Sequence, residues 1–141
     1  MIAKQLSVFL ENKTGRLTEV AQFLGDAGIN MSAYTLADTS DFGILRMIVS
    51  DPNEAYNVLK AAGFTVKISE VIGLCCPNEP GALAKALQIL SREGLEIEYL
   101  YAFSVNESAQ IILKPDNIKQ CIKVLQSHKQ ELIAASDLYK L

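Results

Sequence analysis

Leu6, Val8 and Leu10 alternate with Gln5, Ser7 and Phe9, a period of two that predicts a strand with one apolar face. After a turn over residues 12–15, Leu17, Val20, Ala21 and Leu24 recur at helical spacing, and Gly28 is placed to stop that helix. Residues 29–38 read as a second strand and 39–43 as a hairpin connection. Residues 44–50, dense in Ile, Leu, Met and Val, read as a third strand. Asp51 then caps a helix whose first residue is Pro52, where a missing N–H is harmless. Gly63 ends that helix, and Phe64, Val66 and Ile68 alternate in a fourth strand. The predicted order is βαββαβ.

The same pattern returns. Asn12-Lys13-Thr14-Gly15-Arg16-Leu17 is echoed by Asn78-Glu79-Pro80-Gly81-Ala82-Leu83, with Gly15 and Gly81 66 positions apart. The stripe Leu17, Val20, Ala21, Leu24 recurs as Leu83, Ala86, Leu87, Leu90, and Gly28 matches Gly94. Asp51-Pro52 aligns with Lys114-Pro115 and the stripe Ala55, Val58, Leu59, Ala62 with Ile118, Cys121, Ile122, Leu125, at a displacement of 63, as though the second copy had lost three residues. The fold class is therefore α+β: two tandem ferredoxin-like βαββαβ units, 1–70 and 71–141, each an antiparallel sheet with helices on one face. No Gly/Ser/Pro-rich linker lies in residues 64–76, so the closing strand of one copy should run almost directly into the opening strand of the next. Each unit has about 70 residues, a size at which one core is barely sufficient, so the copies are expected to pair.

Composition narrows the function. The chain has 141 residues, a net charge of -3 and 50% hydrophobic residues, which suits a folded core and gives no global attraction for phosphate or lipid headgroups. Nucleic-acid and membrane partners are not expected. No apolar run approaches the ~18–20 residues of a membrane span and no secretory signal is visible, which points to a soluble cytoplasmic protein. Cys75, Cys76 and Cys121 are too few for a disulfide scaffold, and with one histidine and no C-x-x-C a metal site is not expected either. No cofactor is indicated.

The loop before each first helix carries the candidate chemistry. Glycine lets the backbone approach a ligand closely, and the helix behind it offers unpaired N–H groups with a positive partial charge, which suits a carboxylate. Asn12 has both a carbonyl to accept from an ammonium and an amide to donate. The same residues also suit a plain tight turn.

At these residues a family likeness enters. Asn12-Lys13-Thr14-Gly15-Arg16-Leu17, followed by Gly28-Ile29-Asn30-Met31, resembles the loop, helix and second strand of an ACT domain, a small regulatory module attached to many enzymes of amino-acid metabolism. The resemblance covers nearly the whole chain as two ACT domains without a catalytic domain, and copy one is most similar to the serine-sensing domain of phosphoglycerate dehydrogenase. It implies that Asn12 and Asn30 contact an amino-acid effector, at an interface between paired modules. Where the family has a histidine two residues before the loop asparagine, this chain has Leu10 and Cys76, which implies an effector more apolar than serine. The implied site comprises Asn12, Lys13, Thr14, Gly15, Arg16, Leu17, Asn30 and Met31 in copy one. In copy two it comprises Asn78, Glu79, Pro80, Gly81, Ala82, Leu83 and Glu96, where Glu96 replaces the second asparagine. A carboxylate there would hold an ammonium but repel a carboxylate, so the two sites should differ.

Other groups are weaker candidates. Tyr99, Tyr101 and Phe103 alternate with the phase of Leu95 and Ile97 and suit core or interface packing better than base stacking. Glu96 and Glu98 resemble an acid–base pair but have no nucleophile or metal beside them, and His128 and Lys119, Lys123 and Lys129 suit a solvated helix and its exit. The expected function is non-catalytic: an amino-acid-binding regulatory homodimer that acts on a metabolic enzyme in trans. The alternative is an interaction subunit resembling the small subunit of acetolactate synthase, which holds and activates a catalytic chain. A small enzyme on the same scaffold is the third possibility.

Overall fold

Two kinds of helix start divide the chain. The computed structural model describes residues 1–38 and 41–141. Helices α1 (Arg16–Asp26) and α3 (Ala82–Arg92) begin at left-handed glycines, Gly15 at φ 92° and Gly81 at φ 87°, and no side chain among the described residues caps either one. Helices α2 (Pro52–Ala61) and α4 (Ile118–Ser127) are capped by Asp51 and Asn117, whose side chains accept from Glu54 N–H and Gln120 N–H at 3.1 Å. A short helix, α5 (Ala135–Leu138), closes the chain.

The strands are β1 (Ile2–Glu11), β2 (Met31–Asp38), β3 (Phe42–Val49), β4 (Thr65–Pro77), β5 (Ile97–Val105), β6 (Ser108–Pro115) and β7 (Glu131–Ile133). Thr39 and Ser40, in the expected 39–43 connection, lie outside the described residues, and Phe42 and Gly43 already belong to β3. The expected closing and opening strands are one strand, β4, because no residue between them terminates the extended backbone.

The chain forms two compact units. Lys4–Ser69 joins Ser136–Leu141, and Met1–Ala3 joins Glu70–Ala135, so the chain ends are exchanged relative to a division at 1–70 and 71–141. The tail is held by contacts distant in sequence: Leu138 is fully buried, Tyr139 Oη accepts from Lys4 N–H at 2.8 Å, and Ser32 Oγ donates to the Tyr139 carbonyl at 3.2 Å.

In the first unit the strand order is β2-β3-β1-β4, antiparallel where β3 meets its neighbours, with Leu10 opposite Gly43 and Met31 opposite Val49. Leu6, Val8 and Leu10 of β1 and Leu45, Met47 and Val49 of β3 pack under Val20 and Leu24 of α1 and Ala55 and Leu59 of α2. Each fully buried leucine contributes about 1.5–3 kcal/mol. On the opposite face of β1 the polar Gln5 and Ser7 are also buried, with Gln5 Nε2 donating to Ser7 Oγ at 3.4 Å. The second unit repeats the arrangement as β7-β4-β6-β5 over a core that includes Ile72, Leu74, Leu90, Ile111, Leu113, Cys121 and Leu125. Burial pushes the Cys121 thiol up to about 11, with a smaller contribution from Asp116.

Two sequence expectations are corrected. The repeat is uniform: Asp51 corresponds to Asn117 and not to Lys114, since both cap their helices, and Ser50 and Asp116 both clamp the residue before the second strand. The displacement stays at 66, with Ala55 and Leu59 matching the buried Cys121 and Leu125. A slip of three is close to one helical turn and presents almost the same apolar stripe, which is why 63 looked equally good. The register also shows where Gly63, at φ 93°, has its counterpart: Lys129, a non-glycine residue at φ 56°. The second correction concerns the aromatic stripe. A bulge between Ile97 and Tyr99 shifts the alternation, so Ile97 and Leu100 pack on the core while Tyr99, Tyr101 and Phe103 leave its phase. A matching bulge separates Met31 and Ala33. Glu98 pairs with Lys114 at 3.5 Å, and His128 Nδ1 lies 2.9 Å from the Val124 carbonyl at the end of α4.

Candidate functional site

The turn between β1 and α1 opens on a crevice of about 460 Å³ lined by Leu10, Glu11, Asn12, Lys13, Thr14, Arg16, Leu17, Leu36, Asp38 and Gly43. Its apolar side is Leu10, Leu17 and Leu36, from three different elements, and its charges are two acids and two bases. Lys13 Nζ lies 2.9 Å from Glu11, and Arg16 Nη1 and Nη2 lie 3.0 Å from Glu19 and 3.7 Å from Glu11. The hydrogen bond and charge of Lys13, then the charge of Arg16, hold the Glu11 carboxyl below the usual carboxylate range. Arg16 Nε is buried with no hydrogen-bond partner among the described residues.

A second cavity, of about 550 Å³, is lined by Leu17, Ala21, Met31, Tyr34, Thr35, Leu36 and Leu45. Leu17 and Leu36 border both spaces. Of the residues expected in copy one, the structure thus brings Asn12, Lys13, Thr14, Arg16 and Leu17 together and places Met31 next door through Leu17. Gly15 shapes the turn without lining the crevice. Asn30 lines neither cavity: its N–H donates to Ser50 Oγ and its carbonyl accepts from Ser50 N–H, both at 2.9 Å, and the residue is exposed.

In copy two, Glu79 and Ala82 border a third cavity of about 300 Å³ together with Cys75, Cys76, Pro77, Lys85, Lys129, Gln130 and Glu131. Asn78, Pro80, Gly81, Leu83 and Glu96 are not among its lining residues. Burial, and then the neighbouring Cys75, raise the Cys76 thiol above its usual value. Sequence reasoning passed over Glu11, Leu36, Asp38, Gly43 and Tyr34. Only Glu11 carried a local signal, since it adjoins the loop; the others arrive through the pairing of β2 with β3. Among the described residues no group of His, Cys, Asp and Glu is placed to hold a metal ion, and no helix is long and apolar enough to cross a membrane.

A family model described as an ACT domain pair matches residues 1–141. The chain belongs to the ACT domain family. Protein BT0572 from Bacteroides thetaiotaomicron is 57% identical to it, with a TM-score of 0.97, over 100% of this chain and 98% of that one. The ligand-free regulatory subunit of aspartate kinase from Thermus thermophilus shares the fold with a TM-score of 0.66 and 14% identity, over 90% of this chain and 96% of that one. The regulatory subunit of aspartate kinase from Thermus flavus does so with a TM-score of 0.63 and 16% identity, over 89% and 92%. No curated protein matches the chain significantly. A likeness of copy one to a serine-sensing domain is not shown by these matches.

The uniform register allows the two ACT domains to be compared position by position. Glu11, Lys13 and Arg16 of the first correspond to Pro77, Glu79 and Ala82 of the second. The first domain alone carries the loop's two basic groups.

Proposed function

We propose that this ACT domain pair is a non-catalytic regulatory module that binds a free amino acid at the loop crevice of its first domain and modulates a metabolic enzyme in trans. The carrying observation is the uncapped start of α1 at Gly15, opening on a crevice that holds Lys13 and Arg16 beside Glu11 and Asp38. First-turn N–H groups and Lys13 suit the carboxylate of a zwitterion, while Glu11, Asp38 and the Asn12 carbonyl suit its ammonium. Asn30, exposed at the head of β2, is assigned a contact across the interface of paired domains. The loop of Asn78, Glu79, Pro80, Gly81, Ala82 and Leu83, with Glu96, is a second site of different selectivity, because Glu79 replaces Lys13.

Pairing with a second copy is part of this proposal. The edge strand β2 exposes Tyr34 at 63% and Leu36 at 50%, apolar surface on an unpaired edge that a second chain would cover. The same surface favours the alternative of an interaction subunit that holds a catalytic chain. The aspartate kinase neighbours, named as regulatory subunits, give a precedent for such modules as separate chains. The proposed setting is the cytoplasm.

The test is a melting-temperature screen of the full chain against free amino acids. A ligand at about 100 times its dissociation constant adds about 2.7 kcal/mol. Gly15→Val should weaken the response, since a β-branched residue is strained at φ 92° and would distort the turn that opens on the crevice. A flat screen, together with a stable complex in pull-down, would favour the interaction subunit.

A further inference from the structure

The two cavities of the first ACT domain meet at Leu17 and Leu36, one lined by charges and the other by none. We infer that the ligand of this domain is an amino acid with a large apolar side chain, its ammonium and carboxylate at the loop crevice and its side chain in the cavity beyond Leu17 and Leu36. The inference rests on the amino-acid reading above and adds the side-chain class.

Three observations carry it. First, the crevice is lined by Glu11 and Asp38 against Lys13 and Arg16, so it matches a zwitterion of zero net charge and leaves no surplus charge for an ionic side chain. Second, the adjoining cavity offers only the Thr35 hydroxyl and the Tyr34 phenol as polar side-chain groups, so an aspartate or lysine side chain placed there would lie against apolar surface without a counter-charge. Its volume of about 550 Å³ lies within the range of small-molecule sites.

Third, the duplication supplies an internal comparison. Ala21, which borders the cavity from α1, corresponds to Leu87 in the second domain, where three further carbons stand at the same helical position and are half-buried. Ala21 is thus one lining position at which the first domain leaves room that the second does not. Ala21 is exposed and leucine is a strong helix former, so Ala21→Leu narrows the cavity from its α1 side without disturbing the helix.

Calorimetric titration of the full chain with L-leucine, L-phenylalanine, L-alanine, L-serine, L-aspartate and L-lysine tests the assignment. Leucine and phenylalanine should bind at least tenfold more tightly than serine, with aspartate and lysine weaker still. In Ala21→Leu the affinity for leucine and phenylalanine should fall at least tenfold while that for alanine stays within twofold. Leu36→Ser, at the border of the two cavities, should also weaken leucine at least tenfold. Tighter binding of serine, aspartate or lysine than of leucine overturns the side-chain class but leaves the amino-acid reading standing. Unchanged leucine affinity in both variants overturns the location, and silence from all amino acids overturns both proposals.

Discussion

The Arg16 guanidinium lies over the Phe64 ring, its Cζ 5.2 Å from the ring centroid, and Phe64 meets Phe23 edge-to-face at 6.1 Å. A residue of the candidate site is thereby tied to the strand entry that follows α2. Replacing Arg16 with Ala should cost about 0.5–1 kcal/mol from the cation–ring contact, and Arg16→Lys should recover only part of it because the planar group is lost. Urea denaturation of both variants would check this; equal stability of Arg16→Lys and the parent would show that charge alone matters there.

Lys129 occupies the left-handed backbone position that glycine holds as Gly63 in the first domain. Lys129→Gly should therefore stabilise the protein by about 0.5–1 kcal/mol, and Gly63→Ala should destabilise it by about 1 kcal/mol. Thermal melts of the two variants should move in opposite directions.

Asn117, not Lys114, is the helix-capping counterpart of Asp51. Loss of a cap costs about 0.5–2 kcal/mol, so Asn117→Ala and Asp51→Ala should be similarly destabilising. Lys114→Ala removes a surface pair with Glu98 and should change stability by at most about 1 kcal/mol. A larger loss at Lys114 than at Asn117 would restore the displacement of 63.

Glu11 is exposed, and its carboxyl is held low by Lys13 and then Arg16. A depressed carboxylate binds fewer protons in the folded than in the unfolded state, so its contribution is present above the ordinary value of 4.5 and disappears as pH falls through the lower folded value. Lys13→Ala should move the Glu11 titration upward, toward 4.5, in a carboxyl-detected NMR pH series. Because the pair is exposed, 1 M salt should move it the same way.

The tail fastens the first unit through Leu138 and Tyr139. Leu138→Ala should cost about 2–5 kcal/mol, the range for a buried leucine. Tyr139→Phe, which removes the acceptor for Lys4 N–H, should cost about 0.5–1.5 kcal/mol. Hydrogen exchange at the Lys4 amide should quicken in Tyr139→Phe while α4 keeps its protection.

Periodicity made the duplicated βαββαβ order legible because strands and helices each write their buried face at a characteristic spacing. The turn glycines at 15, 28, 63, 81 and 94 were equally legible, since all five adopt positive φ. Three features escaped. The bulge before Tyr99 inverts a face without changing the residues that alternate. The helix register over α4 was ambiguous because two offsets one turn apart expose the same stripe. The tail of Ser136–Leu141 joins the first unit by contacts far along the chain, to Lys4 and Ser32.

The candidate site divides in the same way. Local chemistry alone selected the loop of Asn12 through Leu17, because a left-handed glycine before a helix and a run of polar residues are properties of a few consecutive positions. Leu36, Asp38 and Gly43 come to that loop only through the pairing of β3 with both β1 and β2, which sets Leu10 opposite Gly43 and Gly43 opposite Asp38. Which residues form the loop was therefore decided along the chain, where spacing and backbone freedom act. What the loop faces was decided across it, because strand register and helix packing join residues that no local pattern connects.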